Sequence, residues 1–237
     1  MLFFYLRHGD PIYDPDSLTE LGKKQADALA KRLALYGIDR IFSSTSNRAI
    51  MTAQPTCELV RKELTQLDFC NEKYAYRDLS IEKDGRRMWV FSDPDSRLFF
   101  TSRECVEMGE EWYDHPRFAG FNFKNGIERI RQESDKFLLS LGYEHERGLG
   151  RFKAVKPNDE RVALFAHGGF GLAFLSCLLD IPYPKFVTHF DLNHSGMTVI
   201  DFSEQNGYAV PRMLTISSDA HLYRECLPTL YNYRVRF

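Results

Sequence analysis

The sequence predicts an α/β protein: a three-layer α/β/α sandwich around a mainly parallel sheet, with an inserted cap region. Short apolar runs of β type alternate with segments of helical period, which is the pattern of a parallel sheet covered on both faces. Three clusters of Arg, His and Gly or Ser fall where such runs end, and sites in these sheets form at the carboxyl ends of strands. An aromatic-rich interval, Lys73 to Phe123, follows neither period and reads as the cap.

The elements follow in order. Leu2 to Leu6 is a buried strand by its apolar, aromatic content. Asp10-Pro11 and Asp14-Pro15-Asp16 mark a loop. Leu21, Leu29, Leu33 and Tyr36 share one face of a helix over Thr19 to Tyr36, with Ser17 and Glu20 spaced as a capping box and Gly37 at its end. Asp39 to Ser43 is a second strand, and Arg48 to Leu64 a helix that Pro55 should kink. Thr65 to Cys70 is a third strand. After the cap, Ile127, Ile130, Phe137, Leu138 and Leu141 mark a helix over Asn125 to Leu141. Gly148 to Asp159 reads as a loop, Arg161 to Ala166 as a strand, and the apolar segment to Leu179 as a helix. Gly196 to Phe202 and Tyr208 to Ile216 close the sheet. The organisation is one domain over 1–237, with the cap at about 73–123.

The 237 residues suffice for one sizeable core, and a formal charge of -2 gives no support for nucleic acid or an anionic membrane as partner. The N-terminus lacks a signal-peptide pattern, and no apolar run is long enough to span a bilayer. Five scattered cysteines without a C-x-x-C fit reduced thiols and a cytoplasmic location. The aromatic-rich middle and the tail Leu230 to Phe237 either cover the core or form a homodimer interface.

Phosphoryl transfer needs an in-line nucleophile, positive charge on the equatorial oxygens and a proton donor for the leaving oxygen. Neutral imidazole is a competent nucleophile near pH 7, and the guanidinium fork matches phosphate oxygens in pairs. Here Arg7 precedes His8 at one strand end, Arg48 follows Ser43-Ser44 at another, and His167 ends a third. A lone Arg-His-Gly is most often a surface turn, and a lone His a hydrogen-bonded residue at a strand end; the three together in this order argue against coincidence.

Leu6-Arg7-His8-Gly9, Leu18-Thr19-Glu20-Leu21-Gly22, Ser43-Ser44 through Arg48 to Ala53, and Ala166-His167-Gly168-Gly169 resemble the histidine phosphatase superfamily, which includes cofactor-dependent phosphoglycerate mutases and acid phosphatases. The resemblance implies that His8 accepts the phosphoryl group, that Arg7, Arg48 and His167 form its pocket, and that Gly9 and Gly168 let backbone approach it. It also implies an acid after the third strand: Glu72 first, with Asp78 and Glu82 as alternatives. His194 is a further candidate for the pocket, with a turn histidine as the plain alternative. One departure is the loop Asp10 to Pro15, where many members carry a Thr and an Asn that hold substrate; Tyr13 stands there instead.

The expectation is a phosphomonoester hydrolase acting on a small phosphorylated metabolite through a phosphohistidine, with no cofactor. The alternatives are a mutase of the phosphoglycerate type, a non-catalytic binding protein on the same fold, and a metallohydrolase built on His8, His167 and His194. Arg77, Arg86, Arg87, Trp89, Arg97 and Arg103 either grip the substrate or support the cap.

Overall fold

The computed structural model describes residues 1–233. Its centre is a six-stranded sheet. The strands are β1 (Leu2–Arg7), β2 (Arg40–Ser44), β3 (Leu64–Leu67), β4 (Arg161–Ala166), β5 (Met197–Asp201) and β6 (Arg212–Ser218), in the spatial order β6-β5-β1-β4-β2-β3. From β1 through β4 and β2 to β3 all neighbours are parallel; β5 and β6 join antiparallel on the far side of β1. The mainly parallel sheet is therefore as expected, and the closing strands account for its mixed edge.

Pleat alternation builds the three layers. Phe4 and Leu6 of β1, with Ala163 and Phe165 of β4, face one side. There they meet Leu29 and Leu33 of helix α1 (Glu20–Ala34) and Ala53 of α2 (Asn47–Val60). Phe3, Tyr5, Val162 and Leu164 face the other side, against helices α4 (Phe123–Ser140) and α5 (Gly168–Leu179). Helix α3 (Glu72–Asp78) leads from the end of β3 into the cap.

Several boundaries differ from the sequence expectation. Thr19, not Ser17, caps α1, its side chain accepting from the Gly22 amide; Ser17 is instead paired with Ile12 in a two-residue ladder. Pro55 sits inside α2 without ending it, so only its own missing amide bond is forfeited. The third strand stops at Leu67, and Asp68–Cys70 coils into a 3-10 turn that delivers Asn71 as cap of α3. Arg151–Ala154, expected in a loop, is a strand paired with Tyr143–Glu146. Its polar outer residues hide the alternation, and only Phe152 marks the buried side.

The interval 73–123 folds as a hairpin (Ser80–Lys83 with Arg86–Trp89), two short helices (Pro94–Phe100, Arg103–Met108) and 3-10 turns. Its aromatic residues pack on each other: Trp112 is fully buried, stacked on Tyr183 at 5.4 Å and edge-on to Phe100. Trp112 is thus core, and the cap's hydrophobic cluster runs on into the main one.

Candidate active site

The parallel strands deliver the motifs to one edge. The amide of His8 continues the β1–β4 ladder by donating to the Ala166 carbonyl at 3.0 Å, so His8 and His167 leave adjacent strands side by side. Their rings stand 5.2 Å apart. Gly9 lies where α1 begins: a Cβ there would come within 2.6 Å of the Gly22 carbonyl oxygen. Its lack of a side chain therefore serves the packing of loop against helix rather than an approach to phosphate.

The tautomer of His8 follows from its partners. Nδ1 lies 2.7 Å from the Gly9 carbonyl oxygen, an acceptor only, so Nδ1 carries the proton. Nε2 keeps its lone pair and accepts from Arg48 Nε at 3.2 Å. Burial, then His167, Arg7 and Arg48, pushes the pKa of His8 well below 6.5. At neutral pH the ring is uncharged, with a free base form at Nε2.

Arg48 is aimed from α2. Its Nη1 donates to Asp16 Oδ1 at 2.7 Å, and its Nη2 lies 3.2 Å from His167 Nδ1. A guanidinium only donates, so His167 accepts at Nδ1 and donates from Nε2 to Ser44 Oγ at 2.8 Å. Burial, then Arg48 and Arg7, keeps His167 neutral. Arg7 is held from behind: Nη1 donates to the Leu192 carbonyl and to Asn232 Oδ1, and Nη2 to His194 Nε2 at 2.7 Å. Its buried Nε has no hydrogen-bond partner among the described residues. A Cβ at Gly168 would press on Arg7 Cζ and Nε at 3.1 Å, so that glycine makes room for the guanidinium.

Glu72 opens α3 and reaches the start of α5. Its Oε1 accepts from the amides of Gly169 (3.0 Å) and Phe170 (3.2 Å), and its Oε2 lies 3.2 Å from His167 Nδ1. The alternatives are elsewhere. Asp78 is buried against Arg77, Asn122 and Arg129, at the base of the cap. Glu82 is exposed on the cap hairpin, opposite Arg87.

These residues open on a cavity of about 740 Å³. Arg7, His8, Arg48, Glu72 and Gly168 line its floor, and Tyr13, Lys73, Tyr76, Arg87, Met88 and Trp89 its cap side. His194 does not line it; the ring stands behind Arg7, 5.5 Å from His8. Burial, then Arg7 and Arg48, pulls its pKa to about 3. His8 and His194 both spend Nε2 on guanidiniums, and among the described residues no group of three His, Cys, Asp or Glu is placed to hold a metal ion. The trio proposed as metal ligands is therefore an arginine-braced cluster.

Residues 6–76 match the family described as histidine phosphatase superfamily (branch 1). The matching segment carries Arg7, His8, Arg48 and Glu72. No curated protein matches it by sequence. Among solved structures, a protein described as mycobacterial hydrolase 1 has a TM-score of 0.61 at 21% identity, over 92% of this chain and 98% of its own. A phosphoserine phosphatase from Entamoeba histolytica, in complex with phosphoserine, has a TM-score of 0.61 at 18% identity, over 93% and 98%. A mycobacterial glucosyl-3-phosphoglycerate phosphatase has a TM-score of 0.60 at 21% identity, over 92% and 98%. At such identities the likeness speaks for the histidine phosphatase fold.

Sequence reasoning missed the supporting residues Asp16 and Thr52. Asp16 clamps Arg48, Ser46 and the Asn47 amide. Thr52 accepts from the Gly9 amide and donates to the Arg48 carbonyl, tying loop to helix. Trp89 closes over Gly169, where a Cβ would meet its ring at 2.3 Å. Asp16 lies in the loop already marked as special, and Thr52 in the matching helix, yet neither contact follows from spacing. Trp89 stacks on Phe91 and meets Tyr76 at an edge, so it supports the cap wall. Among the described residues no helix is long and apolar enough to cross a membrane.

Proposed function

We propose that this chain is a phosphomonoester hydrolase for a small phosphorylated metabolite, acting through a phosphohistidine on His8. The observation that carries the reading is the fixed tautomer: Nδ1–H is bound to the Gly9 carbonyl, leaving the Nε2 lone pair on the cavity floor among guanidiniums. In the first half-reaction Nε2 attacks phosphorus, the N–P bond forms and the P–O bond to the alcohol breaks. Arg7 and Arg48 balance the charge on the phosphoryl oxygens, and His167 borders them.

Glu72 supplies the leaving oxygen with a proton, then removes one from water as the N–P bond is hydrolysed to phosphate and neutral His8. The two amides at the start of α5 favour the ionised form that the second half needs. The first half needs the acid form. His167 Nδ1 already accepts from Arg48 Nη2, and Glu72 Oε2 lies 3.2 Å from it, so the carboxyl is held beside the pocket's arginine.

The substrate class agrees with what the similar structures are named for, phosphoserine and glucosyl-3-phosphoglycerate phosphatases. Lys73 and Arg87 on the cap side offer charge for a second anionic group. The test is a quench of the enzyme with a radiolabelled phosphate ester. An alkali-stable, acid-labile protein label is expected, together with release of inorganic phosphate. A label that persists in His8→Ala would refute the assignment. Interconversion of phosphoglycerate isomers without net phosphate release would instead identify a mutase.

A further inference from the structure

The C-terminal segment reaches the phosphate pocket from behind. Asn232 Oδ1 accepts from Arg7 Nη1 at 2.7 Å. Its Nδ2 donates to both carboxylate oxygens of Asp191, at 2.8 and 2.9 Å, and lies 3.1 Å from the Leu192 carbonyl. Asp191 also accepts from the Leu192 amide, the residue whose carbonyl receives Arg7. The next residue, Tyr233, is held by the cap: Arg97 lies over its ring at 5.6 Å and donates to the Thr188 carbonyl. The tail is thus pinned on one side to the cap and on the other to the catalytic arginine.

A single amide stands between an anion and a cation. Its two halves have opposite polarity: the NH₂ satisfies Asp191 and the carbonyl faces the guanidinium. We propose that Asn232 is a positioning residue that insulates Arg7 from Asp191, keeping the guanidinium's charge directed at the phosphoryl group. Without the amide, the carboxylate is the strongest acceptor near Arg7 and competes directly with the substrate's oxygens. Asp191 is already felt there: burial lowers the pKa of Arg7, and Tyr13 and Asp191 oppose that shift. A neutral spacer anchored by the tail maintains Arg7 as a phosphate ligand while leaving it unneutralised.

The inference rests on the phosphate-pocket reading, and calorimetric titration with inorganic phosphate separates the two. A wild-type chain that takes up no phosphate overturns both. If the wild type binds, Asn232→Ala is expected to weaken phosphate by about tenfold, because the Asp191 carboxylate then pairs with Arg7 in competition with the ligand. Asn232→Asp should weaken it further, because a second carboxylate then pairs with Arg7. The deciding variant is Asn232→Ala with Asp191→Asn. Restoration to within about threefold of wild type is expected, since the competing charge is gone. Three results overturn the inference: unchanged binding in Asn232→Ala, loss without rescue in the double variant, or loss in every variant in proportion to a lower melting temperature. The last is the mark of a merely structural tail.

Discussion

The two ends of helix α5 use the same side chain for opposite purposes. At its N-terminus stand neutral His167 and the Glu72 carboxylate, which accepts the first free amides of the helix. At its C-terminus Arg147 donates to the Cys177 carbonyl, and His145 lies between Asp135 (3.1 Å) and Asp180 (3.2 Å), stacked on Phe152. Anion at the start and cations at the end both suit the helix dipole. The histidines differ in charge. Burial lowers the pKa of every one, but around His8, His167 and His194 the neighbours are arginines that lower it further. Around His145 the aspartates outweigh burial and raise it. Burial alone therefore does not tell a working histidine from a structural one. The sign of the neighbouring charge sets which form each ring favours: beside His8, His167 and His194 the arginines favour the neutral ring, and beside His145 the aspartates favour the charged one.

Removing each end in turn should separate chemistry from stability. His8→Ala is expected to have the largest effect, a loss of at least about 10³-fold in kcat/KM for an ester, with the fold intact. Steady-state release of phosphate checks the rate and circular dichroism the fold. Substantial residual turnover would move the nucleophile elsewhere. Glu72→Gln should cost about 10²-fold in kcat, the scale of general acid–base assistance, because an amide can neither give nor take the proton. An activated ester with a good leaving group should recover most of the first half-reaction. Failure to see that recovery would show that Glu72 acts through its contacts with Gly169 and Phe170, not through a proton.

At the other end, His145→Gln should leave turnover unchanged and lower stability by about 2 kcal/mol, less than a fully broken buried ion pair because Arg147 still serves both aspartates. The pH dependence has a definite sign. A raised folded pKa gives stability that is complete below about pH 6.5 and fades as pH rises through the folded value. The gap between wild type and variant in urea titrations should therefore be widest on the acid side and close towards alkaline pH. A constant gap would mean that His145 is held by packing on Phe152 alone.

Those contrasts explain what could be read without coordinates. Arg7, His8 and His167 were legible because each lies at a strand end that periodicity locates, Arg48 because it opens the helix after such an end, and the parallel sheet brings those ends to one edge. Glu72 was legible as the first acid after the third strand, although that strand ends earlier and a 3-10 turn carries the residue inward. Asp16, Thr52 and Asn232 were not legible. Each reaches the site through a bond across 32 or more positions, such as the Asn232–Arg7 bond across 225, and no local pattern encodes it. The cap was legible only as an interval without period, because its order comes from aromatic contacts among short elements. His145 carried no signal either: its partner Asp135 comes from within α4 and Asp180 from the C-cap of α5.

The smallest predicted effect tests the opening contrast most directly. His194 lies behind Arg7, so His194→Gln can keep a hydrogen bond from Nη2 to the amide oxygen while removing the titratable ring. A folded pKa near 3 against an unfolded value near 6.5 makes the neutral ring a source of acid lability. The stability it allows is present above the unfolded value and is lost as pH falls, because the unfolded chain takes a proton that the folded one refuses. The slope is about 1.4 kcal/mol per pH unit for each such histidine. His8 and His167 contribute in the same direction, and removing one ring should make the acid limb shallower by about one proton's worth. Urea midpoints between about pH 4.5 and 6.5 measure this, with the same series on His145→Gln as the control of opposite sign. If the acid limb in His194→Gln were as steep as in the wild type, the arginines would not be holding that ring neutral, and the distinction between the two ends of α5 would rest on His8 and His167 alone.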